Sequence, residues 1–554
     1  MSEMNRRTFS RLALGAAALQ SAGNAQTREA LQRCVTEWSF SSGRAYREPF
    51  NEVELDVIFK RPGGEEDRVP AFWAGGQSWR VRYAPMVPGK HTFRTVASDT
   101  SNPDLHGRTG SLDVRPYKGD NSLQQHGPIH VDAGKRHFEH VDGQPFFWLG
   151  DTWWMGLCQR MSWPRDIQTL AADRVRKGFT VVQIVAGLYP DMPQFDPRGA
   201  NESGFPWESD YARINPAYFD MADLRIEYLV GTGLVPCIVG CWGYYLPILG
   251  EKRMKQHWRY IVARWGALPA FWCLAGEGSM PYYLSQNRAQ DAAMQKHAWS
   301  EIGRYVRSID AYHHPITIHP STAARVTVDD PSVLDFDMLQ TGHSDRLSIP
   351  STIRLVTESY AQSPTMPVLV GEVCYEGIKE ASRQEVQRFM FWACLLSGAG
   401  GHTYGANGIW QVNTAEKAFG PSPHGRSWGD TPWDVAWQLP GSTQVGIAKK
   451  LLLRYEWWRF EPHPEWVEPH WTSQDYVQAY AAGIPERVRV FFFPDWGSPV
   501  IKGLERSSSY KAFFFDPTNG REYAIPAAAS DDEGNWKPSP PPIFQDWVLV
   551  MEKA

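Results

Sequence analysis

At 554 residues the chain is too long for one ordinary domain, and it suggests about three domains or one barrel with additions. A formal net charge of −5 carries no basic footprint, so no nucleic-acid partner is expected. Aromatic residues are 13 % of the chain, with 25 Trp; their faces suit sugar rings, but Trp is also a large core residue, so the count favours a carbohydrate ligand without establishing it.

Arg6-Arg7-Thr8-Phe9 precedes a short apolar run at 12–19 and small residues ending at Ala25. This predicts a Tat-type signal peptide over 1–25 and a periplasmic or secreted mature protein; an uncleaved N-terminal anchor is the alternative. The run is too short to span a bilayer as a mature helix, and no other stretch is long and apolar enough, so no membrane partner is expected of the mature form. The seven Cys are odd in number and form no CxxC pair, which fits small buried residues better than a disulfide framework. Cys237 and Cys241 lack a matching His or Cys pair, so no metal is expected there.

Residues 30–117 read as an N-terminal antiparallel β-sandwich. Apolar and polar residues alternate at 53–59, further strands fall at 79–83, 91–96 and 110–114, and Gly-rich turns separate them. From 126 to 460 the pattern becomes strand, loop, helix. Strands are predicted at 145–150, 179–185, 234–239, 271–277, 315–319, 336–340, 368–372 and 399–404. Helices are predicted at 166–177, from Asn215-Pro216 onward, and at 253–265, 289–308, 351–361, 382–396 and 445–458. Eight units predict an α/β fold, a (β/α)8 TIM barrel, with long insertions after strands two, three and eight walling a pocket at the C-terminal face. An open doubly wound sheet is the rival, but no GxGxxG or P-loop follows any strand, and no cofactor is expected. Residues 463–554 return to β, with strands at 487–493, 509–515 and 547–551, and read as a C-terminal β-sandwich.

Two barrel strands, the fourth and seventh, end in Gly-Glu: Gly276-Glu277 and Gly371-Glu372. Either Glu alone could be a salt-bridged strand end. Together, at the lips of opposite strands, they read as the two carboxyl groups of a glycosidase, one protonated and one ionised near neutrality. A separation of about 5 Å retains configuration and about 6.5–9.5 Å inverts it, and sequence does not give the distance. Asp151 could bind sugar hydroxyls or cap a loop. Trp153 and Trp154 could stack on a ring, with one of them expected in the core. Gln183, His319, Gln340 and His343 fall at the ends of strands two, five and six. His402, Tyr404 and Asn407 lie at strand eight among glycines that admit a ligand. Tyr375 or Tyr404 could orient the nucleophile, and Glu376 competes with Glu372 for that role.

The stretch from Phe147 to Trp154, the pair Gly276-Glu277 and the stretch from Pro367 to Gly377 resemble the apiosidase-like, family 140-like barrel of glycoside hydrolases. The flanking regions are similar to the β-domain that often precedes this barrel and to the collagen-binding-type domain that often follows it. The resemblance implies retaining hydrolysis, with Glu277 as acid/base and Glu372 as nucleophile. It points to exo action on side chains of plant or microbial polysaccharide, furanosidic pentoses included. The wider clan usually has Asn before the acid/base to hold the sugar 2-hydroxyl; Gly276 stands there, so another residue must make that contact or the substrate is bound differently. Two other functions compete. A non-catalytic carbohydrate-binding barrel is kept open by Gly276. A metal-dependent hydrolase would use His319, His343 and His402, but no HExxH occurs. Oligomeric state is not legible.

Overall fold

The computed structural model describes residues 27–505, 508–528 and 530–554; the expected signal peptide lies outside them. Its centre is a parallel eight-stranded barrel: β1 Trp148–Thr152, β2 Val181–Val185, β3 Val235–Val239, β4 Phe271–Cys273, β5 Ile316–Thr317, β6 Asp337–Gln340, β7 Val368–Glu372 and β8 Gly401–Tyr404. The sheet runs continuously from β5 through β1 to β6. The short seam between β5 and β6 is drawn together by Asp335, whose N–H donates to Ile316 O at 2.8 Å and whose Oδ2 accepts the Ile316 N–H at 2.7 Å.

The first predicted strand divides in two. Pro145–Phe146 joins a small antiparallel sheet with Ile129–Val131 and Phe138–His140, and the barrel strand starts only at Trp148. That sheet plugs the N-terminal end: Phe138 packs against Trp148, Phe271 and Phe336 at 5.7, 5.1 and 5.1 Å between ring centroids. The opposite end is where the strand lips and long loops meet.

The long helices are α1 Arg165–Arg176, α2 Pro216–Gly231, α3 Tyr245–Trp265, α4 Arg288–Ile309, α5 Ile349–Ala361, α6 Gln384–Leu396 and α7 Pro440–Leu452. Asn215 caps α2 through its side chain, with Pro216 at the first helical position. The α3 pattern is legible only from 253 because Gly250, at φ 76, interrupts the helix after its opening turn. After β5 there are only single 3-10 turns at Ala324–Val326 and Pro331–Val333.

The N-terminal strands form two layers. Glu66–Trp73 passes between them, pairing first with Leu55–Lys60 and then, through Phe72 and Trp73, with Ser78–Tyr83. Phe59 and Tyr83 stack across the layers at 3.8 Å. Arg82 reaches Asp223 of α2 at 2.6 Å, and Arg259 of α3 reaches Asp56 at 2.5 Å. At the C-terminus a six-stranded antiparallel sheet lies on α6: Phe389 and Trp392 pack on Phe492, and Arg388 forks onto both oxygens of Asp546 at 2.7 and 2.6 Å. These contacts tie both flanking sheets to the outer helices, and Asn51 also donates to Ala212 O in the loop after β2 at 3.1 Å.

Candidate active site

Glu372 closes β7, and Glu277 follows β4 by four residues. Both reach one cavity at the C-terminal face. Gln340, the last residue of β6, links them: its Nε2 donates to Glu277 Oε1 at 3.2 Å and to Glu372 Oε1 at 3.1 Å. Glu277 adopts φ 42, a left-handed conformation uncommon for a residue with a side chain. Gly276 explains part of its setting. A Cβ there would lie 2.2 Å from the ring of Trp242, so only glycine lets that indole lie flat and donate from Nε1 to Glu277 Oε2 at 3.2 Å. The place of the usual Asn is thus taken by an aromatic ring.

Glu372 is held by more donors. His343 Nε2 lies 2.7 Å from Oε1, and the Tyr375 hydroxyl donates to Oε2 at 2.6 Å. His319 Nε2 stands 3.2 Å from Oε2, out of line for a hydrogen bond. Tyr375 also accepts the Trp154 indole N–H at 3.0 Å and stacks on His343 at 4.7 Å. Its position depends on Gly405, where a Cβ would sit 2.1 Å from the Tyr375 ring.

The two carboxyls are driven apart in acidity. Burial, and then the charge of Glu372, pushes Glu277 up to about 7. Burial also acts to raise Glu372, but the ring nitrogens of His319 and His343 set against its two oxygens outweigh it and hold that carboxyl well below the ordinary carboxylate range. One group therefore keeps a proton near neutrality while its neighbour is ionised, the division of labour an acid/base pair needs.

Of the residues singled out in the sequence, Glu277, Glu372, Gln340, His343, His319, Tyr375 and Trp154 meet in this cavity. Others do not. Asp151 is fully buried beneath the lip, where Oδ2 accepts from Arg174 Nε at 2.5 Å and Trp153 Nε1 at 2.7 Å and Oδ1 accepts the Thr152 N–H at 3.0 Å. It ties β1 to α1, and Trp153 is part of that tie. Gln183 donates to Gly371 O at 2.7 Å inside the barrel. His402 faces the helix layer, 5.4 Å from the ring of Phe391, so it does not converge with His319 and His343. Tyr404 donates to Glu376 Oε2 at 2.5 Å, and Glu376 Oε1 accepts the Gly441 N–H at 3.0 Å at the start of α7. Glu376 is therefore a buried helix anchor, which removes it as a rival nucleophile. Asn407 is buried against Gly429, where a Cβ would meet its Nδ2 at 2.7 Å.

Sequence reasoning missed Trp242, which donates to Glu277, and Trp410, which stacks on Tyr375 at 6.1 Å, along with the loop residues Asp191, Tyr283, Trp428 and His424. Trp242 follows β3 directly and was findable as a lip aromatic; the others lie in long loops without a periodic signal. Those loops fasten to one another. Arg198 donates to Phe419 O and Pro421 O at 3.0 and 3.1 Å, Arg160 donates to Lys417 O at 2.7 Å, and Tyr283 OH accepts the Asp191 N–H at 3.1 Å. Tyr283, after β4, meets His424, after β8, at 5.1 Å, a bridge between loops from opposite sides of the barrel.

A parallel barrel with an acid and a carboxylate sharing one amide at its C-terminal lip defines a class, the barrel glycoside hydrolases. Solved structures carry the same fold. One described as a glycoside hydrolase has a TM-score of 0.66 at 21 % identity, covering 79 % of this chain and 99 % of its own. A family 5 glycoside hydrolase from Bacteroides vulgatus ATCC 8482 has a TM-score of 0.65 at 21 % identity, covering 78 % of this chain and 95 % of its own. A second protein from that strain, with a provisional glycoside hydrolase assignment, has a TM-score of 0.67 at 18 % identity, covering 95 % of this chain and 100 % of its own. No curated protein sequence matches. The apiosidase-like catalytic domain model matches residues 132–459, and a domain of unknown function, DUF5060, matches 34–98. The chain belongs to the apiosidase-like family of glycoside hydrolases.

Proposed function

We propose that the protein is a retaining, exo-acting glycosidase, with Glu277 as acid/base and Glu372 as nucleophile. The shared Gln340 amide carries the reading. Two oxygens bonded to one nitrogen at 3.2 and 3.1 Å can stand no more than about 6.3 Å apart, and the spread of the two amide hydrogens brings them to about 5.5 Å. That spacing leaves no room for a water between carboxylate and sugar and suits direct attack, for which about 5–5.5 Å is usual.

In the first step a Glu372 oxygen bonds to the anomeric carbon while the glycosidic C–O bond breaks and Glu277 gives its proton to the departing oxygen. In the second, Glu277 takes a proton from water, the hydroxide attacks the same carbon, and Glu372 leaves as a carboxylate. Burial serves the first step by keeping the Glu277 proton in place; the donors on Glu372 serve the second by stabilising its departure. The ring nitrogens of His319, which make no hydrogen bond among the described residues, are suited to the sugar hydroxyl that the usual Asn would hold. The fastened loops, with a bridge across the mouth, favour a blind pocket over an open cleft and so a chain end or side branch as substrate.

Aryl glycosides of neutral pentoses and hexoses test the reading, with the configuration of the first-formed sugar followed by proton NMR. Turnover by wild type and its loss in Glu372→Ala are expected; undiminished turnover in the variant refutes the nucleophile assignment, and a first product of opposite anomeric configuration refutes retention. The twin arginines support export by a Tat-type route, tested by the N-terminus of the mature protein. In this reading the regions 30–117 and 463–554 are separate domains that brace the barrel of 126–460.

A further inference from the structure

The loop between β2 and α2 carries a hollow of about 500 Å³, within the range of ligand-holding clefts. Its apolar walls are Phe195, Phe205 and Trp207, while Ser203, Ser209 and Glu208 supply polar groups. Phe195 and Phe205 are half-buried, so part of each ring stays open, and the two meet edge to face at 5.5 Å. Among the described residues, none of those lining the hollow hydrogen-bonds to the carboxyls of Glu277 and Glu372 or to the Gln340 amide between them.

The walls are held in place by the rest of the fold. Asn215 caps α2 through Oδ1 and donates from Nδ2 to Ser203 O and Phe205 O, both at 2.9 Å. Trp207 Nε1 donates to His257 Nδ1 of α3 at 3.3 Å, and Phe50 packs on the Trp207 ring at 5.7 Å. Phe195 and Tyr211 hold φ 54 and 53, a costly conformation for bulky residues and one that collects where ligands are gripped. A recess of about 20 Å³, room for one water or one ligand hydroxyl, adjoins the hollow through the shared walls Phe195, Phe205 and Trp207. Tyr211 lines that recess, is 6 % exposed, and has no hydrogen bond on its hydroxyl among the described residues. A buried hydroxyl without a partner destabilises the fold, and a ligand hydroxyl entering the recess would relieve it.

We infer that this hollow is a second sugar-binding site, outside the catalytic cavity, that takes neutral units of a polysaccharide. Apolar ring faces of the sugar lie on Phe195 and Phe205, and one hydroxyl reaches the recess of Tyr211. The walls choose this ligand class. Of the eight residues lining the hollow, the only charged one is Glu208, whose Oε1 already accepts from Arg213 Nε at 2.8 Å. No cation lines the hollow, so an anionic ligand finds no partner for its charge. The serine hydroxyls and the carboxylate make it too polar for a purely apolar ligand. Hydroxyls set around apolar ring faces match both kinds of wall. The loop leaves β2 at the same lip as the two carboxyls, so a polymer seated here keeps its end or branches near the cavity. The inference goes beyond the catalytic reading and holds whichever carboxyl attacks.

Retardation in native gels containing a dissolved polysaccharide tests this, with arabinan, galactan, xylan and galactomannan as neutral polymers and polygalacturonate as the anionic one. The Glu372→Gln protein is used so that no polymer is consumed. At least one neutral polymer is expected to slow the protein, and polygalacturonate to slow it less. In that background Phe195→Ala is expected to raise the apparent Kd about 5–10-fold, the worth of one aromatic contact, and Tyr211→Phe about 5-fold, the worth of one hydrogen bond. Tyr211→Phe should also melt at or above the parent temperature, because it removes an unsatisfied hydroxyl, and it decides the matter if Phe195→Ala folds poorly. In otherwise wild-type protein both substitutions should leave aryl glycoside turnover unchanged. No retardation by any neutral polymer, equal retardation by polygalacturonate, retardation unmoved by Tyr211→Phe, or turnover falling in step with retardation would each overturn the inference. Failure of the glycosidase reading looks different: wild type cleaves no aryl glycoside, while retardation and its loss in the two variants persist.

Discussion

Replacing Glu277 by glutamine removes the proton donor and is expected to stabilise the fold at alkaline pH. The carboxyl sits at about 7 in the folded protein against 4.5 for an ordinary Glu, a gap worth about 3 kcal/mol at ~1.4 kcal/mol per unit. Partial exposure at the pocket mouth trims this to about 1–3 kcal/mol. The sign follows from proton counting. Below 4.5 both states are protonated and the group is neutral in effect. Between 4.5 and about 7 the folded state holds a proton that the unfolded state has lost, so stability falls as pH rises; above about 7 the full deficit remains. Glutamine cannot ionise and abolishes the deficit. Thermal unfolding of wild type and Glu277→Gln, at about one unit below 4.5 and about one unit above 7, should show the variant gaining a few degrees more on the alkaline side. In parallel, wild-type kcat/KM should fall with a midpoint near 7, about tenfold per unit beyond it, and that limb should vanish in the variant when the leaving group needs no proton. An equal Tm difference at both pH values, or an unchanged alkaline limb in the variant, would refute the reasoning.

Tyr375→Phe removes the 2.6 Å donor from Glu372, so its carboxyl should rise and the acid limb of the pH–rate profile should move to higher pH; a stationary limb counts against Glu372 as the ionised partner. Gly276→Ala places a methyl 2.2 Å from Trp242, should cost about 1–3 kcal/mol of stability by overpacking and should pull the indole off Glu277, shifting the alkaline limb; unchanged melting and an unchanged profile would mean the ring moves freely. Arg174→Met strands the buried Asp151 carboxylate and should destabilise the fold by about 3–5 kcal/mol, seen as a large drop in Tm; a small drop with a selective rise in KM would return Asp151 to the sugar.

The barrel was legible in the chain because its strands are short apolar runs spaced by helices, and periodicity follows directly from which faces are buried. Of the paired Gly-Glu ends, Glu372 was legible for the same reason, because the last residue of β7 is fixed at the lip by the strand itself; β4 stops at Cys273, short of the predicted 271–277, and Glu277 stands four residues beyond it. Boundaries failed where local signals were interrupted, at Gly250 within α3 and at Pro145, whose residues went to the plug rather than to β1.

The roles of polar lip residues were not legible, because spacing along a strand does not say whether a side chain finds its partners within the protein. Asp151 was eligible to bind sugar hydroxyls, and Glu376 to compete with Glu372, until Arg174, Tyr404 and the start of α7 were seen to claim their lone pairs. Asp191 went unnoticed because its loop has no period, and a tyrosine 92 residues away holds its backbone in place. The sequence by itself determined the barrel and the two acids at its lip, since those follow from local burial patterns. Only the tertiary structure decided which carboxylates are used up in the framework and which remain free for a sugar, because satisfaction of a buried charge depends on donors brought from distant parts of the chain.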